Sequence, residues 1–395
     1  MSDAAESMTV RDELQKSLHV PISTDPRSMG GTLYGLTHFD QLFSARQLVA
    51  MVTFSVLVKD ARERIWQDAM DCGYADDDVS LDDDGSGARA YAEAVSVYLA
   101  LAVGRAADYW NAKTSWDSLT QRVNHLFSRQ ALAMNWDFGE SNVFTPRTGS
   151  WDRIVMKSVL GVIDRFAVGP CGRVSRQCAQ NEKVSLNKFV STDPPYYDIV
   201  CFSDLSDFFY IWLRRSLRLV YPGMFAATAT PKDEELVAAP YRYGGKRQAE
   251  QFFRDGMTQA LRNLATLVHP SAPITIYYAF KQSEHKADGV SSRGWEAFLQ
   301  ALIDSKLSIT AIWPIHCERP SRLSSLQVNS LSSAIVFVCR GRPEVAEVIT
   351  RHQFIRLLDE LMPRAIDRMT SLGGYPNEEV QEVSDWQQAE AEDQP

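Results

Sequence analysis

Apolar residues recur along the first part of the chain at three- and four-residue spacing, which predicts helices. The stretches with this spacing are residues 43–70, 88–114 and 116–132. Ser44 stands where the N-cap of the first helix is expected. We therefore predict a mainly helical region at 31–150, preceded by a loosely ordered N-terminal segment at 1–30 that contains prolines and glycines.

After residue 150 the pattern changes to helical stretches that alternate with short runs of β-branched and aromatic residues. The predicted strands are 187–192, 273–280, 308–315 and 332–340. The predicted helices are 151–168, 205–221, 244–268, 294–307 and 353–371. This order predicts an α/β sheet at 151–345. The last two strands lack a helix between them, so they are expected to pair antiparallel. A final helix and an acidic tail are predicted at 346–395.

The predicted strand at 187–192 leads directly into the segment Asp193, Pro194, Pro195 and Tyr196. Prolines fix the backbone φ angle and remove N–H donors, so this corner is rigid and its carbonyl groups remain available as acceptors. These four residues resemble the DPPY signature of DNA methyltransferases that act on exocyclic base amines, which are poor nucleophiles because their lone pair is delocalised into the ring. A carboxylate and a carbonyl that each accept one amine hydrogen would aim that lone pair at an incoming methyl group. Tyr196 would stack on a base flipped out of the duplex.

The DPPY corner, together with "DLSDFFYIWLRRSL", "TPKDEELVA", "GGKRQAEQFF", "ITIYYAFKQ" and "SSAIVFVCR", resembles the C-terminal portion of large adenine-specific DNA methylases of bacteria and archaea. Those proteins begin with a domain of unknown function. "LFSARQL" and "SRQALAMNWDFGESNVF" are similar to their middle segments. The resemblance covers residues 31–345 and implies a class I S-adenosylmethionine-dependent methyltransferase-like, Rossmann-like sheet, incomplete at its N-terminal half. It implies Asp193, Pro194, Pro195 and Tyr196 as catalytic residues, with Asp193 adjacent to the methyl donor.

The chain departs from the family pattern at three places. The family's glycine-rich cofactor loop belongs upstream of these segments, and "DFGESN" at 137–142 is a poor match to it. Cys178 precedes Ala179 where the family tends to have an acidic residue. Ile199 stands where the family usually has asparagine.

The family resemblance leaves two hypotheses open. The first is an enzyme that methylates an exocyclic base amine in DNA, for which adenine N6 is a better-supported assignment than cytosine N4. A second polypeptide would then supply the glycine-rich half that binds S-adenosylmethionine. The second hypothesis is a truncated, inactive methylase remnant, or a DNA-binding subunit of a modification or defence system. Fold resemblance alone does not establish activity.

Basic residues in the connection after the helix at 205–221 are the candidate DNA contacts: Lys232, Arg242, Lys246 and Arg247. Long connections in compact domains often carry function, and this one is large enough to close over a substrate. Three further arginines, at 214, 215 and 218, are interpreted as a solvated helix face, with phosphate binding as the alternative. The aromatic residues at 208, 209, 210 and 212 are expected in the core because their spacing is helical.

Two residues beside the corner have open interpretations. Tyr197 is either a second stacking ring or a packing residue. Asp198 either orients the corner or caps the next turn.

Charge, cysteine spacing and apolar run length bear on whether the protein binds nucleic acid, metals or membranes. The formal net charge is −9, which argues against a surface that binds nucleic acid throughout, although a local basic patch remains compatible. The acidic run at 74–87 lacks the ligand spacing of a calcium loop and predicts a solvated loop. No metal site is expected from the scattered cysteines, which are Cys72, Cys171, Cys178, Cys201, Cys317 and Cys339. Because the sequence shows neither a signal peptide nor an apolar run of membrane-spanning length, we expect a cytoplasmic protein.

Overall fold

The computed structural model describes most of the chain and forms two compact units, Met1–Gly341 and Arg342–Pro395. The described residues are 18–25, 28–128, 131–163, 165, 172–198, 200–279, 293–316, 333–343, 345–346 and 348–371. Over these residues the protein is a mixed α/β structure with two small sheets.

The helices of the first unit follow the predicted apolar spacing closely. They are α1 (Ala45–Asp71), α2 (Ala88–Ala107), α3 (Trp151–Val155), α4 (Phe202–Leu217), α5 (Lys246–Leu267) and α6 (Arg293–Asp304). A π-helical turn, Met156–Leu160, continues α3. Ser44 caps α1 as predicted, because its hydroxyl accepts from the amide of Gln47, whose side chain accepts from the amide of Ser44 in return. In the second unit, α7 (Arg351–Ser371) is the helix expected there.

The helix predicted at 116–132 is wrong. The structure places a β-hairpin there, β1 (Ser115–Asp117) and β2 (Arg122–Asn124), followed by a 3-10 turn at Leu126–Ser128. The carboxylate of Asp117 accepts from the backbone amides of Leu119 and Thr120, at 3.0 and 3.2 Å. An aspartate that binds the backbone two residues ahead favours a turn over a helix.

A four-stranded mixed sheet carries the predicted strands. They are β3 (Val190–Thr192), β4 (Ile274–Tyr278), β5 (Leu307–His316) and β6 (Ser333–Gly341), in the order β3-β4-β6-β5. β3 and β4 are parallel, and β6 is antiparallel to both of its neighbours. The predicted antiparallel pairing of the last two strands is confirmed. Three strands therefore run in one direction and β6 runs in the other.

Two hydrophobic cores organise the first unit. The first joins α1, α2 and α3 to α4, whose aromatic face contributes the fully buried Phe208 and Trp212. The predicted core positions are confirmed for Phe208, Tyr210 and Trp212, whereas Phe209 is partly buried, and each fully buried ring contributes roughly 1.5–3 kcal/mol. The second core lies between the sheet and helices α5 and α6, and it includes the fully buried Ile274, Ile276 and Phe337. α4 thus ties the helical region to the segment that follows β3.

No helix within the described part of the chain is long and apolar enough to cross a membrane.

Candidate functional site

The DPPY corner lies at the carboxyl end of β3. Thr192, the last residue of β3, is paired with Ile276 of the parallel strand β4, and Asp193 follows directly. In open α/β sheets, ligands bind in the crevice outside the carboxyl ends of the parallel strands. The corner therefore stands at the edge of the sheet where such folds place their chemistry.

Tyr197 gives the corner its sharp turn. Its φ angle is +52°, in the left-handed region that costs a non-glycine residue roughly 1–3 kcal/mol. Its amide donates to the carbonyl of Pro195 at 3.1 Å, and its carbonyl accepts from the amide of Ala238 at 2.9 Å. The ring is buried and packs edge-on against Phe253 at 5.2 Å. These contacts favour packing over base stacking as the role of Tyr197. Asp198 beside it is half-buried.

The side chains of Asp193 and Tyr196 are both accessible. Asp193 is exposed, and Tyr196 is half-buried. The Tyr196 hydroxyl donates a hydrogen bond to the Asp193 carboxylate. Its ring meets Tyr278 edge-on, with the ring centroids 5.4 Å apart. The corner therefore presents a carboxylate and an aromatic ring side by side.

Tyr278, at the end of β4, packs against the Tyr196 ring of the corner. It is only 1% exposed, and its ring stacks on Phe298 of α6 at 3.9 Å. Burial is the main cause that raises the pKa of the Tyr278 phenol, and the charge of Asp198 adds to it. The phenol is therefore neutral, and it donates to the carbonyl of Gly294 at 3.3 Å.

Gly294 is the point where α6 touches the corner. A Cβ atom placed on it would lie 2.9 Å from Cγ of Tyr197, closer than real Cβ contacts. We expect Gly294→Ala to lower the free energy of unfolding by about 1–3 kcal/mol, because the ring and the strained corner would have to move. Urea denaturation measures this change.

The control for this prediction is the same substitution at Gly104 in α2, where no heavy atom lies within 4 Å of the added Cβ. Gly104→Ala is expected to be neutral or to stabilise by up to about 1 kcal/mol, since alanine is the better helix former. Equal stability of the two variants would contradict the close packing of α6 on the corner.

Two of the four candidate DNA contacts are engaged inside the protein. Lys232 pairs with the buried carboxylate of Asp207 at 2.6 Å. Arg242 is 10% exposed and pairs with Asp204 at 2.9 Å and with Glu235 at 2.6 Å. Burial by itself would lower the pKa of Arg242, but the hydrogen bond to Glu235 and the charge of Asp204 outweigh it and raise the pKa. The geometry therefore favours a structural role for both side chains.

These ion pairs fix the connection that follows α4. Ser203 donates its backbone amide to Glu235 at 2.9 Å, so a carboxylate from the connection caps the first turn of α4. The Tyr241 hydroxyl donates to Asp204, and Ser23 donates to the same carboxylate at 2.9 Å. The connection also bonds the corner through Ala238. The segment expected to be large enough to close over a substrate is thus bonded both to α4 and to the corner.

The other two candidates, Lys246 and Arg247, are exposed in the first turn of α5. Gly244 and Gly245 precede them with positive φ angles of 72° and 141°. A helix N-terminus carries a partial positive charge, which adds to these two cations. Within the described residues, they are the candidate DNA contacts that remain open to solvent.

The arginines of α4 differ in exposure. Arg218 is exposed, whereas Arg214 donates to the carbonyl of Phe225 at 3.2 Å. Desolvation by burial lowers the pKa of Arg215. Only part of the expected solvated face is therefore in solvent.

The three departures from the family pattern have different outcomes. Residues 137–142 have no regular structure and no strand directly before them. Cys178 is half-buried in a segment that meets α5, where Asn263 donates to the carbonyl of Ala179 at 3.3 Å. Ile199 lies outside the described residues.

Metal-binding and cofactor-binding residues were also sought in the described ranges. No group of three or more His, Cys, Asp or Glu side chains there could hold a metal ion. The acidic run at 74–87 forms turns and a short 3-10 helix, Leu81–Asp83, as the loop prediction expected. Among these residues no strand leads into a glycine-rich turn. The described residues therefore place a carboxylate and an aromatic ring together at the corner and contain no strand-to-glycine turn of the cofactor-loop kind.

Sequence reasoning missed the carboxylates that hold the connection and the rings that surround the corner. Asp204 and Asp207 stand three residues apart in "SDLSDF", a spacing that puts both on one helix face and could have signalled a shared role. Tyr278 and Trp295 gave no signal of their own, because aromatic residues at strand and helix ends are common in cores.

Comparison of this chain with protein-family models, with curated proteins and with solved structures finds no match.

Proposed function

We propose that this protein is the base-binding and catalytic part of a DNA methyltransferase that acts on an exocyclic base amine, and we assign adenine N6 ahead of cytosine N4. The observation that carries the proposal is the corner itself. An exposed carboxylate, Asp193, and a half-buried ring, Tyr196, stand together at the carboxyl end of a parallel strand. The family resemblance of the sequence supports the same assignment.

The chemistry needs an acceptor for the amine hydrogens and a surface for the base. Asp193 is placed to accept one hydrogen, and the proline carbonyls of the corner are candidates for the other. Tyr196 offers a ring to the face of the base. S-adenosylmethionine, when bound, would supply the methyl group: the new N–C bond would form as the sulfonium S–C bond breaks and S-adenosylhomocysteine leaves, and the amine nitrogen would release one proton to solvent. Positioning and a dry environment can each lower the barrier by several kcal/mol.

The sheet is compatible with this proposal. Two parallel strands followed by an antiparallel hairpin correspond to the outline expected of a class I methyltransferase, seen here in four strands. If this chain supplies the residues that bind the base, another element must supply the residues that bind the methyl donor. We propose that a separate glycine-rich element provides it.

Binding of labelled S-adenosylmethionine tests the proposal most directly. The purified chain is titrated alone and together with the product of a neighbouring gene, with S-adenosylhomocysteine as competitor. We expect weak or no binding to the chain alone and saturable, competitor-sensitive binding to the pair. Absence of binding in both cases would overturn the assignment of methyl transfer and favour a DNA-binding role without catalysis.

A further inference from the structure

Trp295 lies at the same edge of the sheet as the corner. It is in the first turn of α6, the helix that follows β4, and its neighbour Gly294 is the residue that touches the Tyr197 ring. The carboxyl ends of β3 and β4 are adjacent because the two strands are parallel. The fold therefore brings Trp295 beside the corner although it follows Tyr196 by about a hundred residues.

Tyr196 and Trp295 contact the same buried ring. The Tyr278 centroid is 5.4 Å from that of Tyr196 and 6.1 Å from that of Trp295. One face of Tyr278 is covered by Phe298, with the ring planes 10° apart. The indole also packs on Phe337 at 5.6 Å. Tyr278, Phe298 and Phe337 thus form a buried aromatic cluster against which the rings of Tyr196 and Trp295 pack.

These two rings differ from the others of the cluster in exposure. Tyr278, Phe298 and Phe337 are at most 1% exposed, so no ligand reaches them without rearrangement. Tyr196 and Trp295 are half-buried, so part of each side chain is accessible, and the Tyr196 hydroxyl bonds Asp193. Flat aromatic faces of this kind bind nucleobases by stacking, with little dependence on which base is present.

We propose that Trp295 is a second base-contacting ring, which together with Tyr196 holds the target base at Asp193. This inference rests on the proposed function and adds a specific residue to it. The indole would contribute to base binding through its face and would take no part in proton or methyl transfer. Its loss should therefore weaken base binding without the chemical defect expected at Asp193.

A binding assay without methyl donor tests this residue separately from catalysis. The probe is a short single-stranded oligonucleotide with one 2-aminopurine, whose fluorescence is quenched when the base stacks on an aromatic ring. Trp295→Ala is expected to weaken binding about 5- to 100-fold and to reduce the quenching at saturation. Trp295→Phe, which keeps a ring, should retain most of both. Circular dichroism and thermal melting check that the variants fold.

Trp313 provides a matched control. It is a tryptophan of the edge strand β5 and is 43% exposed, but it has no part in the ring cluster at the corner. Trp313→Ala should bind the probe like the unmodified protein. If Trp295→Ala also binds normally while the unmodified protein quenches the probe, the inference about Trp295 fails and the proposed function stands. If the unmodified protein binds no oligonucleotide, that result contradicts the proposed function itself.

Discussion

Asp193→Asn is expected to reduce the rate of methyl transfer about a thousandfold while DNA affinity changes by no more than about twofold. The substitution keeps the size of the side chain but replaces one acceptor oxygen by an NH2 group, which cannot accept a hydrogen from the base amine. The Tyr196 hydroxyl can still donate to the remaining oxygen, so the shape of the corner should persist. The loss would therefore fall on the chemical step.

Single-turnover incorporation of labelled methyl groups into DNA measures the rate, with S-adenosylmethionine and any required second polypeptide present. Fluorescence anisotropy with the same DNA measures affinity. Asp233→Asn is the matched control, because it makes the same change at an exposed carboxylate of the connection after α4. Equal rates for the two variants would show that the corner is not the catalytic site.

Arg242→Leu is expected to lower the free energy of unfolding of the first unit by about 3–5 kcal/mol. The guanidinium pairs with Asp204, which is 1% exposed at its side chain, and with Glu235, which is 14% exposed. It also donates to the Ser203 hydroxyl at 2.9 Å. Removing this cation would leave two carboxylates in a low-dielectric environment with neutral hydrogen-bond donors but without their opposite charge, and that penalty dominates the cost.

Urea denaturation followed by tryptophan fluorescence measures this loss. Arg247→Leu is the control, since Arg247 is exposed and its replacement should change stability by less than about 0.5 kcal/mol. Combining Arg242→Leu with Asp204→Asn should cost less than the two single changes added together, because the second substitution removes one of the unpaired charges. Strict additivity would contradict a direct pairing of Arg242 with Asp204.

The extent to which the sequence predicted this structure depends on how local the determining interactions are. The cap of α1 and the apolar spacing of α1 and α5 act within a few residues, and those helices were predicted closely. The β1–β2 hairpin was missed because "WDSLTQRVNHL" has helical apolar spacing, whereas a single side chain, Asp117, decides for a turn. A prediction from apolar spacing alone does not take into account a hydrogen bond between a side chain and the backbone.

The candidate site shows the same limit. The corner could be predicted because four consecutive residues carry its geometry. The role of Lys232 could not, because its partner Asp207 lies 25 residues away in α4. A lysine in a polar segment looks equally available for DNA and for a buried carboxylate until the fold is known. Tyr278 and Trp295 likewise become neighbours of the corner only through the pairing of β4 with β3.

The hydrogen bond from the Tyr196 hydroxyl to Asp193 also bears on which bases the corner admits. The Asp193 carboxylate already accepts a hydrogen bond from the Tyr196 hydroxyl. In the proposed function, an entering base must therefore bond the carboxylate beside that hydroxyl or displace it. The amino groups of adenine and cytosine bring hydrogens and can do both. The keto oxygen of thymine brings only lone pairs, and it would face the carboxylate without a proton between them, at a cost of about 1–3 kcal/mol or more. If the corner binds a base as proposed, these two neighbouring side chains would favour amino bases over keto bases.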